Sequence, residues 1–556
     1  MVEYASVSSR ERARTDNVGE QPADKAVAGE PGDLRALPRR QVALTMAGMM
    51  LAMFLGSLDQ TIVGTAMPRI ITDLGGFTQY TWVTTAYIIA STVTVPIVGK
   101  LTDIYGRKWF YTAGIAVFAV GSLLCGLSQT MTQIIIFRGL QGIGAGTMMA
   151  NALILIGDLF PAAERGKYQG LMSGILGISS VIGPTVGGFI TDTLSWHWVF
   201  FVNVPLALLI ICLFVFFFPH LRPAVQRRRI DYFGLVTLVL AVVPAMLALS
   251  WAGVEYEWSS APIIGMFVLS AVAAAAFVLV ERRAEEPLMP FAVFRNRIVA
   301  VSSIVIFLTG FGTFGAIIFV PLFFQGVMGM SATASGSFLT PMMLGVVIGS
   351  IVSGQVLSRT GGHYRWQGVV GLAIMAVGVG MMSRMTVDTS YAAAVAYIVI
   401  SGIGAGITMP LYVIAIQNAV PYAVMGVATS STAFVRQLGG VVGLAVYGSA
   451  LNNRFASQLI AGLSPGAKAA IPQEALNRMT ENPQALVSVE AQAQLRAFFE
   501  QLGTGGAALY QEVVDALRVA LNSALTEIFL IGLVVILIAW VANLFLREIP
   551  LRRQRA

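Results

Sequence analysis

The sequence has few charged residues, few cysteines and almost no histidine. Of its 556 residues, 11% are charged, two are cysteines and three are histidines. Cys125 and Cys212 lie far apart within apolar runs and show no metal-ligand spacing, so we interpret both as small core residues. The scattered histidines form no metal cluster either, and the sequence predicts neither a metal nor a cofactor.

Motifs for nucleotide hydrolysis and for intramembrane catalysis are also missing. The phosphate-loop pattern GxxxxGK[ST] does not occur, because the Gly-Lys pairs at 99–100 and 166–167 lack the required flanking residues. The pattern HExxH is absent, and the apolar runs contain no clustered pair of carboxylates. These absences argue against an enzyme and against an ATP-driven pump within this chain, and they leave a separate ATPase subunit open.

Long apolar runs dominate what the sequence does contain. Hydrophobic residues make up 56% of the chain, which also has 57 glycines. Fourteen runs between residues 42 and 546 approach the ~20 residues that a helix needs to cross a bilayer. A soluble domain could not bury this much apolar surface. The sequence therefore predicts an all-α, multi-pass membrane protein with 14 transmembrane helices.

Lysine and arginine residues gather in alternate loops between these runs. Lys100, Arg107 and Lys108 follow the second run, whereas the short loops on the opposite side hold only Arg69 and Arg384. By the positive-inside rule both termini are cytoplasmic, and the expected location is the cytoplasmic (inner) membrane. The net charge of +7 then follows mostly from topology, so nucleic acid is not an expected partner.

Two short patterns recur and indicate an internal repeat. GIGAG occurs at 142–146 in the fourth run and again at 402–406 in the twelfth. The seven-residue step from Gly99 to Gly106 recurs 255 positions later, in a matching topological place. Parallel repeats about an axis along the membrane normal, with substrate bound between them, are a known transporter plan. We therefore predict two six-helix halves, with the seventh and eighth runs inserted between them.

This organisation divides the chain into five parts. They are a disordered cytoplasmic tail (1–38), the N-terminal six-helix half (39–220), two inserted helices (221–290), the C-terminal six-helix half (291–546) and a basic cytoplasmic tail (547–556). Residues 451–523 form a long outer segment within the second half. Their amphipathic pattern indicates an extracellular helical hairpin that continues the flanking spans, or else a cap, gate or docking surface for an envelope partner.

Five motifs, in order along the chain, carry a resemblance to a known family. They are LDQTIVGTAMP in the first run, GKLTDIYGRK after the second, RGLQGIG in the fourth, GILGISSVIGPTVGG in the fifth and WHWVFFVNVP before the sixth. From about residue 42 to 546 the sequence resembles the major facilitator superfamily and, within it, the fourteen-span drug:proton antiporters. The resemblance implies the major facilitator fold, with alternating access by rocking of one half against the other. His197 departs from the family pattern, since arginine is usual at that position.

The resemblance also implies that the loop after the second run is a conformational latch, which stabilises the outward-facing state. Ile104 stands where the family often has a basic residue, and this departure predicts a weaker latch. An ordinary positive-inside loop is the alternative interpretation. The expected latch residues are Gly99, Asp103, Gly106, Arg107 and Lys108, with Asp158 at the end of the fourth run as a partner.

The fifth run matches the motif that the family associates with antiporters. In physical terms, Gly183 and Gly187 form a small-xxx-small face for close helix packing, and Pro184 favours a kink. The sequence leaves packing and gating equally open. The residues that match the motif are Gly174, Gly177, Gly183, Pro184, Gly187 and Gly188.

Asp59 is a carboxylate within the first run, where an ionised side chain costs roughly 2.5–3.5 kcal/mol. Arg138 lies at a matching depth in the fourth run, roughly 10–12 Å below the outer face. In the resembled fold these two helices line the central cavity side by side, so we predict an Asp59–Arg138 pair. Burial favours the neutral carboxyl and the arginine favours the carboxylate, which suits a proton-coupling site. A structural ion pair is the alternative.

Further polar and aromatic residues are candidates for the substrate cavity. Gln60 and Gln141 can hydrogen-bond to the Asp59 pair, and Arg436 is a deep cation without an obvious acidic partner. Counting Asp59, Arg138 and Arg436 leaves one net positive charge, which favours neutral, monocationic or amphiphilic substrates. The candidate lining residues are Gln60, Tyr87, Gln141, Phe311, Phe314, Gln325, Met409 and Arg436.

The residues and the resemblance together predict a proton-coupled exporter of lipophilic or amphiphilic small molecules, which works as a monomer in membrane lipid. The main alternative is a lipid or metabolite exporter of the same fold, with residues 451–523 assisting the release of an amphiphile. A uniporter is a further alternative, and it would be expected to work without Asp59.

Overall fold

The computed structural model describes residues 38–74, 79–218, 230–253, 255–330, 339–421, 424–473, 476, 496–497, 499 and 506–551. Within these ranges the regular structure is helical, and β-type pairing is limited to an isolated bridge between Ala252 and Tyr256. The predicted tails at 1–38 and 547–556 lie outside the described residues, except for Pro38 and residues 547–551.

Fourteen helices in the described residues are long and apolar enough to cross a membrane, which confirms the all-α class and the predicted number of spans. The sixth span consists of two pieces, and a π-helical turn at Phe323–Val327 continues the ninth. The helices are α1 (Arg39–Leu74), α2 (Tyr80–Tyr105), α3 (Arg107–Gly126), α4 (Met131–Leu159), α5 (Ala162–Thr193), α6 (His197–Phe201 with Asn203–Phe217), α7 (Tyr232–Trp251), α8 (Ala261–Arg283), α9 (Arg297–Leu322), α10 (Leu339–Thr360), α11 (Tyr364–Met382), α12 (Tyr391–Ala419), α13 (Met425–Gly462) and α14 (Gly506–Leu544).

Two glycines at equivalent positions of the repeat share a special backbone conformation. Gly106, between α2 and α3, has a φ angle of 93°, and Gly361, after α10, has a φ angle of 73°. Residues with a Cβ atom are strained at such angles, whereas glycine adopts them readily. Glycine therefore allows the chain to turn from one helix to the next at the same place in both halves.

The two GIGAG segments make equivalent helix contacts. A Cβ atom on Gly142 of α4 would lie 2.5 Å from the carbonyl oxygen of Tyr87 on α2, and one on Gly402 of α12 would lie 2.6 Å from that of Met342 on α10. Met342 follows Tyr87 by 255 positions, which is the offset of the repeated glycine loop. Because no side chain fits at these separations, glycine allows both helix pairs to approach closely.

The two halves meet along two seams. In the first seam α2 packs on α13, and in the second α5 packs on α10. The inserted helices α7 and α8 pack on each other, and α7 also contacts α2 and α13. Buried apolar side chains such as Ile89, Val242 and Phe434 fill this contact, so the inserted pair lies beside the first seam.

α13 and α14 extend well beyond the predicted ends of their spans. They contain 38 and 39 residues, which corresponds to about 57–59 Å of helix against a hydrocarbon core of about 30 Å. Their predicted outer parts are tied by an ion pair of 3.0 Å between Arg454 Nε and Glu527 Oε2, and by the Ser464 amide, which donates to Glu512 Oε1 at 2.9 Å. Where it is described, segment 451–523 thus begins and ends as paired helices; residues 474–475, 477–495, 498 and 500–505 lie outside the described residues.

Candidate functional site

Asp59 lies at the centre of a buried polar network that joins α1, α4 and α6. Arg138 Nη1 donates to Asp59 Oδ2 at 2.6 Å, and Gln141 Nε2 donates to Oδ1 at 2.8 Å. Asn203 Nδ2 donates to the same Oδ1 atom at 2.8 Å. Asp59 and Gln141 are 0% exposed, and Arg138 and Asn203 are 1% exposed. The structure therefore brings the predicted pair together and surrounds its carboxylate with three donors.

Arg138 is fixed by contacts besides the carboxylate. Its Nη1 atom also donates to Gln141 Oε1 at 2.8 Å, and its Nε atom donates to the carbonyl oxygen of Val83 at 3.4 Å. The guanidinium carbon lies 4.1 Å from the ring centroid of Tyr87, which is a cation–π distance. These contacts offset the cost of burying the arginine, and they tie α2 to the network through Val83 and Tyr87.

Gln60 is the next residue after Asp59, and the sequence predicts that it hydrogen-bonds to the Asp59–Arg138 pair. In the structure it does not take part in this network. Its side chain is exposed and hydrogen-bonds with the Tyr87 hydroxyl. The Tyr87 hydroxyl also lies 3.5 Å from the carbonyl oxygen of Gly56. Successive residues of a helix point about 100° apart, so Asp59 faces the protein interior while Gln60 faces a more open side of α1.

The predicted latch residues form a second buried network on the predicted cytoplasmic side, where α2 and α4 end and α3 begins. Arg107 forms an ion pair with Asp103, and its Nε atom donates to Asp158 Oδ2 at 3.0 Å. Its Nη1 atom donates to Thr102 Oγ1 at 2.9 Å. Asp103, Arg107 and Asp158 are all at most 5% exposed. We refer to these three charged residues, by the role and the side predicted for them, as the cytoplasmic latch.

The cytoplasmic latch reaches the other half of the protein. The backbone amide of Val427, in the first turn of α13, donates to Asp103 Oδ2 at 3.2 Å. A Cβ atom on Gly99 would collide with Ser430, and one on Gly426 would collide with Asp103. The glycines thus allow the backbones of α2 and α13 to approach closely enough for this contact.

Lys108 is not part of the charge network. Its Nζ atom donates to the carbonyl oxygen of Val215 near the C-terminal end of α6, at 2.9 Å. Lys100, one turn before Asp103, instead forms an ion pair with Glu286 at 2.6 Å. Glu286 follows the inserted helix α8, so Lys100 connects the latch helix to the inserted pair.

The second seam is closed on the same side, which is the predicted cytoplasmic side. Arg165 Nη1 on α5 donates to Gln417 Oε1 on α12 at 3.0 Å. Gly166 on α5 packs directly against Gly354 on α10, where a Cβ atom on either residue would collide with the other backbone. The halves are therefore in contact at the predicted cytoplasmic ends of both seams.

The antiporter-type motif of α5 divides into two groups that have different neighbours. Gly174 and Gly177 face Val347 and Met343 on α10, at the interface between the halves. Gly183 and Gly187 pack instead against α1 within the N-terminal half, near Thr61 and Thr65. Pro184 lies inside the helix, and no atom lies within 4 Å of a Cβ built on Gly188. The small-xxx-small pair is thus a packing surface for α1, and the contact between halves belongs to the earlier glycines.

The remaining predicted cavity residues lie in the C-terminal half, away from the Asp59 network. Phe311 packs against Tyr447 with ring centroids 5.0 Å apart, and the Phe314 ring faces Gly440. Gln325 lies in the π-helical turn after α9. All three residues belong to α9 or to the π-helical turn that continues it, and the two phenylalanines pack against α13. Aromatic or polar character alone therefore does not show that these residues line one cavity.

Arg436 lies on α13 close to α9 and α12. Its Nη2 atom donates to the carbonyl oxygen of Met409 at 3.3 Å, and a Cβ atom on Gly310 would collide with its backbone. Within the described ranges, no carboxylate oxygen lies within 4.0 Å of its guanidinium group. The same part of the chain contains no group of three or more His, Cys, Asp or Glu side chains able to hold a metal ion.

Comparison with known proteins gives the family. The model of the Major Facilitator Superfamily matches residues 49–444. The chain belongs to the major facilitator superfamily. The structure of the human organic anion transporter MFSD10 (TETRAN) matches with a TM-score of 0.55 and 12% identity, covering 90% of this chain and 100% of that chain, which shows the shared fold.

Two bacterial relatives cover nearly the whole of this major facilitator protein. The Multidrug transporter protein MdtP of Bacillus subtilis (strain 168) is 39% identical over 517 residues, which are 92% of this chain and 94% of that protein. Multidrug resistance protein 3 of the same organism is 37% identical over 517 residues, 92% of this chain and 97% of that protein. The family that the sequence motifs indicated is therefore confirmed.

Sequence reasoning missed two members of the Asp59 network, Asn203 and Ser122. Asn203 belongs to the WHWVFFVNVP motif, but the motif by itself predicts no contact with Asp59. Its Nδ2 atom also donates to Ser122 Oγ on α3 at 3.0 Å, and Ser122 donates to the carbonyl oxygen of Phe200 at 2.8 Å. An asparagine within an apolar span is the available signal, since a buried amide in a membrane needs partners.

Proposed function

We propose that this major facilitator protein is a proton-coupled exporter, which moves lipophilic or amphiphilic small molecules out of the cytoplasm in exchange for protons. The observation that carries the proposal is the fully buried Asp59 carboxylate, held by three donors from α4 and α6. A buried carboxylate of this kind is a functional-site hypothesis by default in a membrane protein.

Protonation of Asp59 changes this network because of what its partners are. Arginine offers donors only, and the amide nitrogens of Gln141 and Asn203 also donate. In the present orientation of the two amides, a protonated carboxyl carries a hydrogen that none of these donors can accept, and it loses the charge that holds Arg138. A proton on Asp59 therefore loosens α1 from α4 and α6, which couples protonation to helix movement.

The cytoplasmic latch supplies the conformational part of the proposed cycle. Contacts of Asp103 with Val427 and of Arg165 with Gln417 close the cytoplasmic ends, as an outward-facing state requires. These contacts must open for cargo to load from the cytoplasm. Asp59 then carries the proton, Arg138 tunes it, and the latch holds the outward-facing conformation.

The names of the two bacterial relatives support a small-molecule cargo, because both refer to multidrug transport or resistance. Asp59 and Arg138 compensate each other, and Arg436 adds a further deep positive charge. This balance favours neutral, monocationic or amphiphilic molecules over dications. We also place the protein in the cytoplasmic membrane as a monomer with both termini cytoplasmic, by the positive-inside rule.

A second candidate is the export of lipids or metabolites by the same fold. The length of α13 and α14 favours this candidate, since each helix has nearly twice the ~20 residues that a bilayer requires. In this version segment 451–523, on the outer side, assists the release of an amphiphile or docks an envelope partner. Transport of a fluorescent phospholipid, with no transport of dyes, would favour this candidate.

Uptake into inside-out membrane vesicles tests the proposal. With an acidic lumen, wild-type vesicles are expected to accumulate ethidium, a monocationic dye, and to stop when the gradient is collapsed. Asp59→Asn keeps the shape of the side chain but removes the titrating proton, so gradient-driven uptake should be lost. Asp192→Asn, at an exposed carboxylate near the outer end of α5, is the matched control and should transport normally. Wild-type uptake that ignores the gradient would overturn proton coupling.

A further inference from the structure

A cavity of about 250 Å³ lies in the first seam, outside the Asp59 network. Its walls are formed by α2, which includes Ile88, by α7 and the turn that follows it, which include Met246, and by α13, which includes Val441. The residues of α13 that line it begin at Val441, about 24 Å along the helix from Met425 at 1.5 Å per residue. The cavity therefore lies in the outer half of the membrane. We call it the seam cavity.

The seam cavity exists because α2 and α13 touch at their cytoplasmic ends and separate towards the outside. Gly99 faces Ser430 near the cytoplasm, whereas Thr85 and Gly448 face the cavity further out. The inserted helix α7 covers the gap between α2 and α13. The Trp251 ring at the outer end of α7 meets the Trp82 ring of α2, with centroids 4.9 Å apart. The inserted helix α7, with the turn that follows it, thus turns an open seam into a walled cavity.

The polar side chains of the seam cavity all lie at its outer end. α13 runs outward from Val441 to Ser449 and Asn452, and α7 runs outward from Met246 to Ser250. α2 runs inward, so Thr85 is the outermost of its residues there. No Asp, Glu, Lys or Arg side chain is among those described as lining it. The base of the cavity is therefore apolar and its mouth can hydrogen-bond.

We propose that the seam cavity is a binding site for an uncharged amphiphile, with its apolar part towards the membrane centre and its hydrogen-bonding end outward. The absence of a carboxylate in the described lining disfavours a cation, since a buried charge needs a partner. The volume is slightly below the ~300–1,000 Å³ of pockets for drug-sized ligands, so a small molecule or one aliphatic chain fits. Such a molecule is either exported cargo on its way out, which rests on the proposed export function, or a lipid of the outer leaflet.

Photolabelling of the purified full chain tests the site without any transport. The probe is a medium-chain alcohol that carries a diazirine and an alkyne, and labelled peptides are identified by mass spectrometry. We expect labelling of the segments that contain Met246–Gly253 and Val441–Asn452, which excess unlabelled alcohol suppresses. Labelling that is absent there, or that does not saturate, overturns the proposal.

A matched pair of glycine variants provides the control. No atom lies within 4 Å of a Cβ on Gly448, so Gly448→Phe should fill the seam cavity and lower its labelling about tenfold. Gly265 on α8 is exposed and equally open, so Gly265→Phe should leave the labelling unchanged. Asn452→Leu removes a hydrogen-bonding group at the mouth without filling the base, and should weaken labelling severalfold. Equal labelling of wild type, Gly448→Phe and Asn452→Leu contradicts the proposal.

Competition distinguishes the two sources of the ligand. Displacement of the probe by dioleoylglycerol, an uncharged lipid, identifies a membrane lipid, and displacement by Nile red, an uncharged dye, identifies cargo. Displacement by neither contradicts the proposal. If the ligand is cargo, Gly448→Phe should slow vesicle uptake of Nile red but not of ethidium. A failure of proton coupling at Asp59 would leave the labelling unchanged, so the two proposals fail separately.

Discussion

Asp103 on α2 accepts a hydrogen bond from the backbone amide of Val427 on α13, 324 positions later in the sequence. Val427 lies in the first turn of its helix, where unpaired amides and the helix dipole favour a negative charge. Arg107 holds Asp103 and Asp158 from the other side. The contact between the two halves therefore depends on a buried charge network as well as on close backbone packing.

We expect Asp103→Asn to weaken the cytoplasmic closure. The amide keeps the size of the side chain but loses the charge that Arg107 and the end of α13 stabilise, at a cost of about 1–2 kcal/mol. That cost shifts the balance between conformations about tenfold towards the inward-facing state. With one spin label at the cytoplasmic end of α2 and one at that of α13, the distribution of distances between the labels should then shift to longer values than in the wild type. A distance distribution identical to that of the wild type would contradict the latch.

Gly166→Leu should open the second seam at its cytoplasmic end. Gly166 packs against the backbone of Gly354, so any side chain there must push α5 away from α10. Gly188→Leu is the matched control on the same helix, because a Cβ there has no neighbour within 4 Å. We expect Gly166→Leu to lower transport at least tenfold and to expose a cysteine placed on cytoplasmic α10 to a water-soluble maleimide. Equal behaviour of the two variants would argue against this contact as a gate.

Asn203→Ala should impair proton coupling without abolishing it. The change removes one of two donors to Asp59 Oδ1 and leaves Ser122 without its amide partner, at a cost of about 1–3 kcal/mol. The expected result is roughly a tenfold lower maximal rate of gradient-driven uptake, with little change in the concentration for half-maximal uptake. Asn522→Ala is the control, because Asn522 of α14 donates to the carbonyl oxygen of Met385 rather than to Asp59. A variant that changes only apparent substrate affinity would assign Asn203 to the substrate instead.

The Lys100–Glu286 pair should stabilise the attachment of the inserted helices to α2. Its side chains are 10% and 22% exposed, and its charged atoms are 2.6 Å apart. We expect Lys100→Met and Glu286→Gln each to lower the free energy of unfolding by about 1 kcal/mol. The double variant should cost less than the sum of the two, since each single change already breaks the pair. Additive costs, measured by unfolding in detergent, would show that the pair contributes nothing.

Charged residues made part of the site predictable from sequence. Asp59 and Arg138 stand out because charges are costly within apolar runs, and the rise of a helix puts them at one depth. The repeat was predictable for a related reason, since glycines that allow close backbone approach recur with their spacing. Gly142 and Gly402 show this, each lying against a backbone carbonyl.

The direction in which a side chain points and the residues that it contacts were not predictable in the same way. Asn203 carries no charge, so its place in the network is set by the fold of α6 rather than by composition. Phe311 is aromatic whether it lines a cavity or packs against Tyr447, and only the fold distinguishes the two. The seam cavity likewise needs α2, α7 and α13, which are distant in sequence and converge only in three dimensions.

The central claim is that Asp59 carries the coupled proton, and one comparison in proteoliposomes tests it most directly. Wild type and Asp59→Asn are measured for ethidium uptake driven by a pH gradient and for exchange of ethidium across the membrane without a gradient. We expect the variant to lose gradient-driven uptake but to keep exchange, since the substrate pathway remains while the titrating group is gone. Gradient-driven uptake by Asp59→Asn at the wild-type rate would contradict the claim and reduce the Asp59–Arg138 pair to a structural ion pair.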